Sequence, residues 1–183
     1  MVRYQDGSLE AFRELYARLA PELRRYVRFL TRGSEAVEDL LQDAFLQLHR
    51  SRAAYDPAYA VRPWMFGLAR NVCLMNRRAT RRWANVHAVG DIPDVPVPPD
   101  VERVADAEVI RRCLAELPAD HAEALTLHHV WGFSFDEIAG MLGVSAVAAR
   151  ARASRGMARL RAEMERLSSS MPQYHDRRRL DTA

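Results

Sequence analysis

Apolar residues recur along this chain at spacings of three and four, the repeat of one face of an α-helix. No β-branched run alternates in the manner of a half-buried strand. Leu9, Phe12, Tyr16, Leu19, Leu23, Tyr26 and Leu30 form the first stripe. Pro21 interrupts it without shifting its phase, which predicts a kink or a helix–helix junction, since proline removes a backbone donor. Ser34 reads as the N-cap of a second helix, whose inner stripe is Val37, Leu40, Leu41, Ala44, Phe45 and Leu48. Residues 51–61 read as a loop. Pro63 then suits the first turn of a third helix, with Met65, Leu68, Val72 and Met75 inward.

The period breaks at residues 85–100, NVHAVGDIPDVPVPPD, which hold four of the nine prolines. Proline lacks the amide donor and restricts the residue before it, so this stretch reads as a semi-extended linker. Helical phase returns with Val104, Ala107, Ile110, Leu114 and Leu117, and Pro118 opens a new segment. That segment carries Leu125 and Leu127 to Trp131, and Gly132 ends it. Ser134-Phe-Asp-Glu137 is a capping box, in which serine and glutamate satisfy each other's free amides. Ile138, Ala139 and Leu142 make a short helix stopped by Gly143, and Ser145 caps a further helix to about Leu167. A three-residue turn with glycine, and small Ala139 at the crossing, predict a helix-turn-helix. The expected fold is all-α: helical domains at 1–84 and 101–167, the Pro-rich linker 85–100, and a flexible polar tail at 168–183.

Composition narrows the setting. The 183 residues are 49% apolar and 28% charged, an ordinary globular balance. No stretch approaches the ~20 apolar residues of a membrane span, and the N-terminus lacks the apolar core of a signal peptide. Cys73 and Cys113 stand far apart in apolar helical patterns, so they read as small buried hydrophobes in a reducing compartment. These features predict a cytoplasmic protein without membrane insertion. All 27 basic residues are arginine, which a GC-rich genome explains. Their distribution is more telling: basic segments at 1–90 and 129–167 flank an acidic one at 91–128, suggesting two surfaces for a polyanion.

The candidate chemistry follows that division. The last helix carries Arg150, Arg152, Arg155, Arg159 and Arg161 behind Ser145. The first turns of a recognition helix meet base edges in the major groove, where arginine pairs bidentately with guanine. That favours Arg150 and Arg152 as DNA contacts and leaves Arg159, Arg161 and Arg166 as a solvated face. In the first domain Arg62, Trp64, Phe66, Arg70, Asn71, Arg77, Arg78, Arg81, Arg82 and Trp83 fall together. Arginine interleaved with aromatics suits unpaired bases, because rings stack and guanidinium groups hold phosphates. Glu35, Glu38, Asp39 and Gln42 instead make an acidic helix face, which repels DNA. By spacing alone it is a solvated surface rather than a protein-docking one. The six histidines form no H-E-x-x-H or Cys/His metal spacing, and no nucleophile elbow, P-loop or dinucleotide fingerprint occurs. No enzyme activity, cofactor, metal or small-molecule substrate is expected.

These pieces, in this order, resemble an extracytoplasmic-function sigma factor, from residue 9 to about 166. EDLLQDAFLQLHRS (38–51) resembles the helix that binds the clamp coiled coil of the largest RNA polymerase subunit. RPWMFGLARNVCLMNRRATRR (62–82) resembles the segment that recognises and opens the minus-ten element. LPADHAEALTLHHVWGFSFDEIAGMLGVS (117–145), with the arginines after it, resembles the minus-thirty-five reader and its flap-binding helices. The resemblance implies core-polymerase docking by Glu38, Asp39, Gln42, Asp43 and Phe45, which moves the acidic face from solvated to docking. It implies minus-ten contacts from Arg62, Trp64, Phe66, Arg70, Asn71, Arg77 and Arg78. Loop 51–61 matches the family's loop for a flipped base, with Tyr55, Asp56 and Tyr59 as the pocket. Minus-thirty-five contacts fall to Ser145, Ala148, Ala149, Arg150, Arg152 and Arg155. Core RNA polymerase and promoter DNA are the implied partners, and an anti-sigma factor is a further partner common in the family.

The chain departs from the family pattern in three places. Ala148, Ala149 and Ala153 replace branched residues, which thins the packing expected under the recognition helix. Met75 stands where an acidic residue is common, and the tail SSSMPQYHDRRRLDTA lies outside the resemblance. Two rival readings make different predictions. A helix-turn-helix regulator binds operator DNA tightly without polymerase. An interaction protein working through its acidic helix binds no DNA at all.

Overall fold

A computed structural model describes residues 1–83 and 104–170, and every regular element among them is helical. The first half contains α1 (Val2–Gln5), α2 (Leu9–Thr31), α3 (Val37–Ser51), a 3-10 turn (Arg52–Ala54) and α4 (Val61–Trp83). The second contains α5 (Val104–Ala115), α6 (Ala119–His129), α7 (Phe135–Leu142) and α8 (Ala146–Ser170). The linker 85–100 and the tail from 171 lie outside the described residues.

Local chemistry explains most of the boundaries. Ser8 caps α2 by accepting from the Ala11 amide at 3.2 Å, and Arg32 and Gly33 end it in left-handed backbone. The helix runs unbroken through Pro21, so no helix–helix junction forms there. Burial of Leu15, Leu19, Leu23, Tyr26 and Val27 on either side outweighs one missing hydrogen bond. Ser34 is not the N-cap of α3. Its hydroxyl accepts from the Ala36 amide at 3.3 Å, closing a local turn, and the helix begins at Val37 without a side-chain cap. The inner stripe of α3 is the one expected: Val37, Leu40, Leu41, Ala44, Phe45 and Leu48 are all buried. In α4 the buried residues are Met65, Phe66, Ala69 and Cys73. Met75, expected inward, is 67% exposed, because two residues past Cys73 is about 200° around the helix.

In the second half the capping box at Ser134 and Glu137 forms in both directions, and Gly143 adopts φ 66° to end α7. The Ser145 hydroxyl accepts from the Ala148 amide at 3.2 Å at the start of α8. The helix-turn-helix is therefore α7, a three-residue turn and α8. Its packing answers the question of volume under the recognition helix. Ala149, Ala153 and Gly156 form a small buried stripe on α8, which lets that helix lie close on α6. A Cβ at Gly156 would sit 2.9 Å from the His121 carbonyl oxygen and 3.3 Å from Leu125 Cβ. Gly156 is thus a close crossing on α6, while Ala139 is only half-buried. Gly156→Val is expected to destabilise the fold by about 1–3 kcal/mol through this overlap, read as a lower denaturant midpoint. An unchanged midpoint would show that the crossing has room to relax.

The halves are not separate bodies joined only by a tether. Phe66 of α4 stacks on Tyr26 of α2, with ring centroids 4.8 Å apart. Both rings then pack edge-on against Trp131, at 5.8 and 5.2 Å, and Phe133 closes on Phe66 at 4.9 Å. One apolar core therefore runs from α2 and α4 into the segment between α6 and α7.

Candidate functional site

The acidic face lies on α3. Glu38, Asp39, Gln42 and Asp43 are all exposed. Leu46 completes that face at i+7 from Asp39 and is 44% exposed, although the inner stripe is nearly sealed from water. Phe45, assigned to docking from the sequence, belongs inside. It is buried, with Tyr16 at 4.6 Å and Phe12 at 6.2 Å. One step of 100° separates Phe45 from Leu46, and only Leu46 faces solvent. Glu38 serves the fold as well, accepting from the Arg24 guanidinium of α2 at 2.7 and 3.1 Å. That hydrogen bond holds the Glu38 carboxyl below the usual carboxylate range.

The second surface is the loop after α3 with the start of α4. Asp56 and Tyr59 are exposed, and Tyr55 is half-buried with its ring tilted against Trp64 at 5.0 Å. The Tyr55 hydroxyl donates to the Tyr59 carbonyl, and Asp56 accepts from the Ala58 amide at 2.9 Å. These bonds fold the loop into a compact turn. Further along α4, Asn71, Arg77 and Arg78 are exposed. Arg62, Phe66 and Arg70 are not free for a ligand in this arrangement. Arg62 donates to Glu22 at 2.8 Å and to the Trp131 carbonyl at 3.0 Å, lying over the Phe133 ring at 4.3 Å. Phe66 is wholly buried. Arg70 donates at 2.8 Å to Glu123 of α6.

Glu123 is the pivot of that contact. It is 7% exposed, and its Oε1 accepts from both Arg70 Nε and the Tyr26 hydroxyl, each at 2.8 Å. Burial, followed by the nearby carboxylate, keeps the Tyr26 phenol protonated well above its ordinary range. The sign follows: stabilisation from Tyr26 is complete below pH 10.0 and is lost as pH rises through the raised value. Burial also pushes the Cys73 thiol up to about 12, so it stays a neutral apolar group, in line with its reading as a small hydrophobe.

The third surface is the amino end of α8. Ser145 and Arg150 are exposed, and Arg150 lies over the Phe135 ring at 5.0 Å. Arg155 is also exposed and Ala148 half-buried. Ala149 is fully buried against the rest of the domain, so it packs and contacts no base. Arg152 leans back toward Asp120 of α6 at 3.5 Å. The sequence reading missed Val147, which is 80% exposed three residues before Arg150. An i,i+3 count from Arg150 is the signal that finds it.

Comparison with known proteins gives the same order of parts. A sequence model described as sigma-70 region 2 matches residues 15–83, and one described as sigma-70, region 4 matches residues 107–160. RNA polymerase sigma factor CarQ of Myxococcus xanthus is 37% identical over 165 residues, covering 88% of this chain and 93% of the relative. The chain belongs to the extracytoplasmic-function sigma factors. ECF RNA polymerase sigma factor SigM of Mycobacterium tuberculosis is 33% identical, covering 84% of this chain and 77% of its own. In fold, the sigma factor RpoE, solved with the anti-sigma factor NepR from Bartonella quintana, matches with a TM-score of 0.72 and 24% identity. That match covers 86% of this chain and 98% of the other. CnrH, solved with the cytosolic domain of CnrY, follows with a TM-score of 0.66 and 24% identity over 90% of this chain and 94% of its own.

A sigma factor of this family binds core RNA polymerase and promoter DNA and directs transcription initiation, and this chain does so. Among the described residues no helix is long and apolar enough to cross a membrane, and no group of His, Cys, Asp and Glu could hold a metal ion.

Proposed function

We propose that three surfaces divide the work of initiation. The outer face of α3, with Asp39, Gln42, Asp43 and Leu46, docks on core polymerase. Loop 55–60 and the exposed part of α4, with Asn71, Arg77 and Arg78, take the minus-ten element. The amino end of α8, with Ser145, Val147, Arg150 and Arg155, reads the minus-thirty-five element. Residues 1–84 and 101–167 are then the working domains, 85–100 their tether and 168–183 an accessory tail. The chain performs no catalysis, since polymerase supplies the chemistry, and it acts in the cytoplasm beside that enzyme. Arg62, Phe66 and Arg70 reach DNA only after α4 parts from α6 and α7. An anti-sigma protein, like the NepR bound to RpoE, is the natural partner to hold the closed form.

The observation that carries this reading is the outer face of α3: carboxylates around an exposed leucine suit a protein and repel DNA. The test is promoter binding by the lone protein and by the protein with core polymerase. Weak binding alone and specific binding with polymerase is expected. Tight, salt-sensitive binding alone would favour the operator-binding regulator. At the third surface, Arg150→Ala is expected to cost about 1–3 kcal/mol on the matched promoter and to relax preference at one base pair. A uniform loss across promoter variants would reduce Arg150 to a phosphate contact.

A further inference from the structure

The amino-terminal helix α1 lies outside the region 2 match, yet it is tied to the loop at the centre of the minus-ten surface. Tyr4 anchors it. That ring is buried against Phe12 at 5.1 Å, and its hydroxyl lies 2.6 Å from His49 Nδ1 near the end of α3. The next residue reaches the loop itself. Gln5 Nε2 donates at 2.9 Å to the carbonyl of Arg52, where the 3-10 turn begins, and at 2.9 Å to that of Tyr55, where it ends. A primary amide has two hydrogens, so both carbonyls are satisfied by one nitrogen. The clamp spans the backbone from which Tyr55, Asp56 and Tyr59 depart. Beyond it the Tyr55 ring rests on Trp64, and its hydroxyl returns to the Tyr59 carbonyl.

We infer that Gln5 is a positioning residue for minus-ten base recognition, setting the register of the loop that presents Tyr55, Asp56 and Tyr59. This rests on the reading of that loop as the base-binding loop. A flipped base is discriminated by hydrogen bonds and stacking only if the pocket is held in place before the base arrives. A loop of six residues joined to two helix ends has many backbone states, and a clamp at its root removes most of them.

The decisive variant is Gln5→Glu, which keeps the shape but presents a carboxylate to two carbonyl acceptors. The experiment measures open-complex formation by full-length protein with core polymerase, on the matched promoter and on promoters substituted singly in the minus-ten element. Polymerase affinity and thermal midpoint are measured beside it. Gln5→Glu is expected to lower the preference for the matched base about tenfold, with polymerase affinity within twofold of the parent. Gln5→Lys, which restores N–H donors, is expected to recover part of the preference. Gln5→Ala takes the place of Gln5→Glu should that variant not fold. Asp56→Ala and Tyr59→Ala serve as the control. If they abolish discrimination while the Gln5 variants leave it unchanged, the inference fails and the reading of the loop stands. Unchanged discrimination in the loop variants themselves would overturn both. An equal loss on every promoter, with the preference intact, would reduce Gln5 to a structural role and overturn the inference too.

Discussion

Replacing Asp39 and Gln42 together with alanine is expected to weaken binding to core RNA polymerase by at least an order of magnitude and to abolish promoter-directed transcription. Both side chains are exposed on α3, and the stripe behind them is complete without them. Such surface changes alter stability by about 0.5 kcal/mol or less, so the variant should stay folded. In a complex the same groups lose their water. A carboxylate and an amide beside an exposed leucine match arginines around an apolar patch, and removing one partner of a buried charged pair costs about 2–5 kcal/mol. At 1.4 kcal/mol per factor of ten, the low end already exceeds one decade. Leu46→Ala should weaken the same complex and leave the minus-thirty-five contacts unchanged, because Leu46 shares that face and the helix-turn-helix is built from α7 and α8. The measurement is polymerase affinity and run-off transcription beside the parent protein. Normal affinity in the double variant would make the acidic face a solvated surface and remove the main support for the proposed division of labour.

The second large effect is expected at Glu123. Glu123→Ala leaves the Arg70 charge and the buried Tyr26 hydroxyl without the oxygen they share. Breaking a buried pair by removing one member costs about 3–5 kcal/mol, most of it from the charge left behind. The loss should appear as a lower thermal midpoint and as looser packing of α4 on α6. Cys73 offers a direct probe of the second effect. It is buried on α4, and its thiol is held protonated by burial and by Glu123. Alkylation needs the thiolate and access, so Cys73 in the parent should react slowly at pH 8. In Glu123→Ala its labelling should speed up severalfold, followed peptide by peptide to separate it from Cys113. Glu123→Gln keeps an acceptor for Tyr26 but no charge for Arg70, and should fall between the two. Labelling and melting unchanged in Glu123→Ala would show that the rings of Tyr26, Phe66, Trp131 and Phe133 hold the halves together unaided.

Local signals carried much of the architecture into the sequence. The capping box at Ser134 and Glu137, the left-handed Gly143 and the Ser145 cap are each decided within four residues, and each stands where the spacing placed it. The inner face of α3 was legible for the same reason, since a helix of period 3.6 allows one choice of buried stripe. Periodicity erred at Met75, which is 67% exposed, and the docking role that the family resemblance gave Phe45 falls in this structure to its exposed neighbour Leu46. The rest depended on partners distant in the chain. Gly156 is tight only because the His121 carbonyl crosses it, and Ala149 is buried only because α8 lies close on α6. Arg62, Phe66 and Arg70 read from the sequence as DNA contacts, since arginine and aromatic residues in one segment suit nucleic acid. In this closed arrangement they are engaged by Glu22, Trp131, Phe133 and Glu123. Glu123 lies 53 residues from Arg70 and 97 from Tyr26. A short-range pattern specifies helices, caps and one amphipathic face, because those depend on neighbours in sequence. Which arginine is free and which is paired depends on how helices meet, and tertiary structure alone decides that.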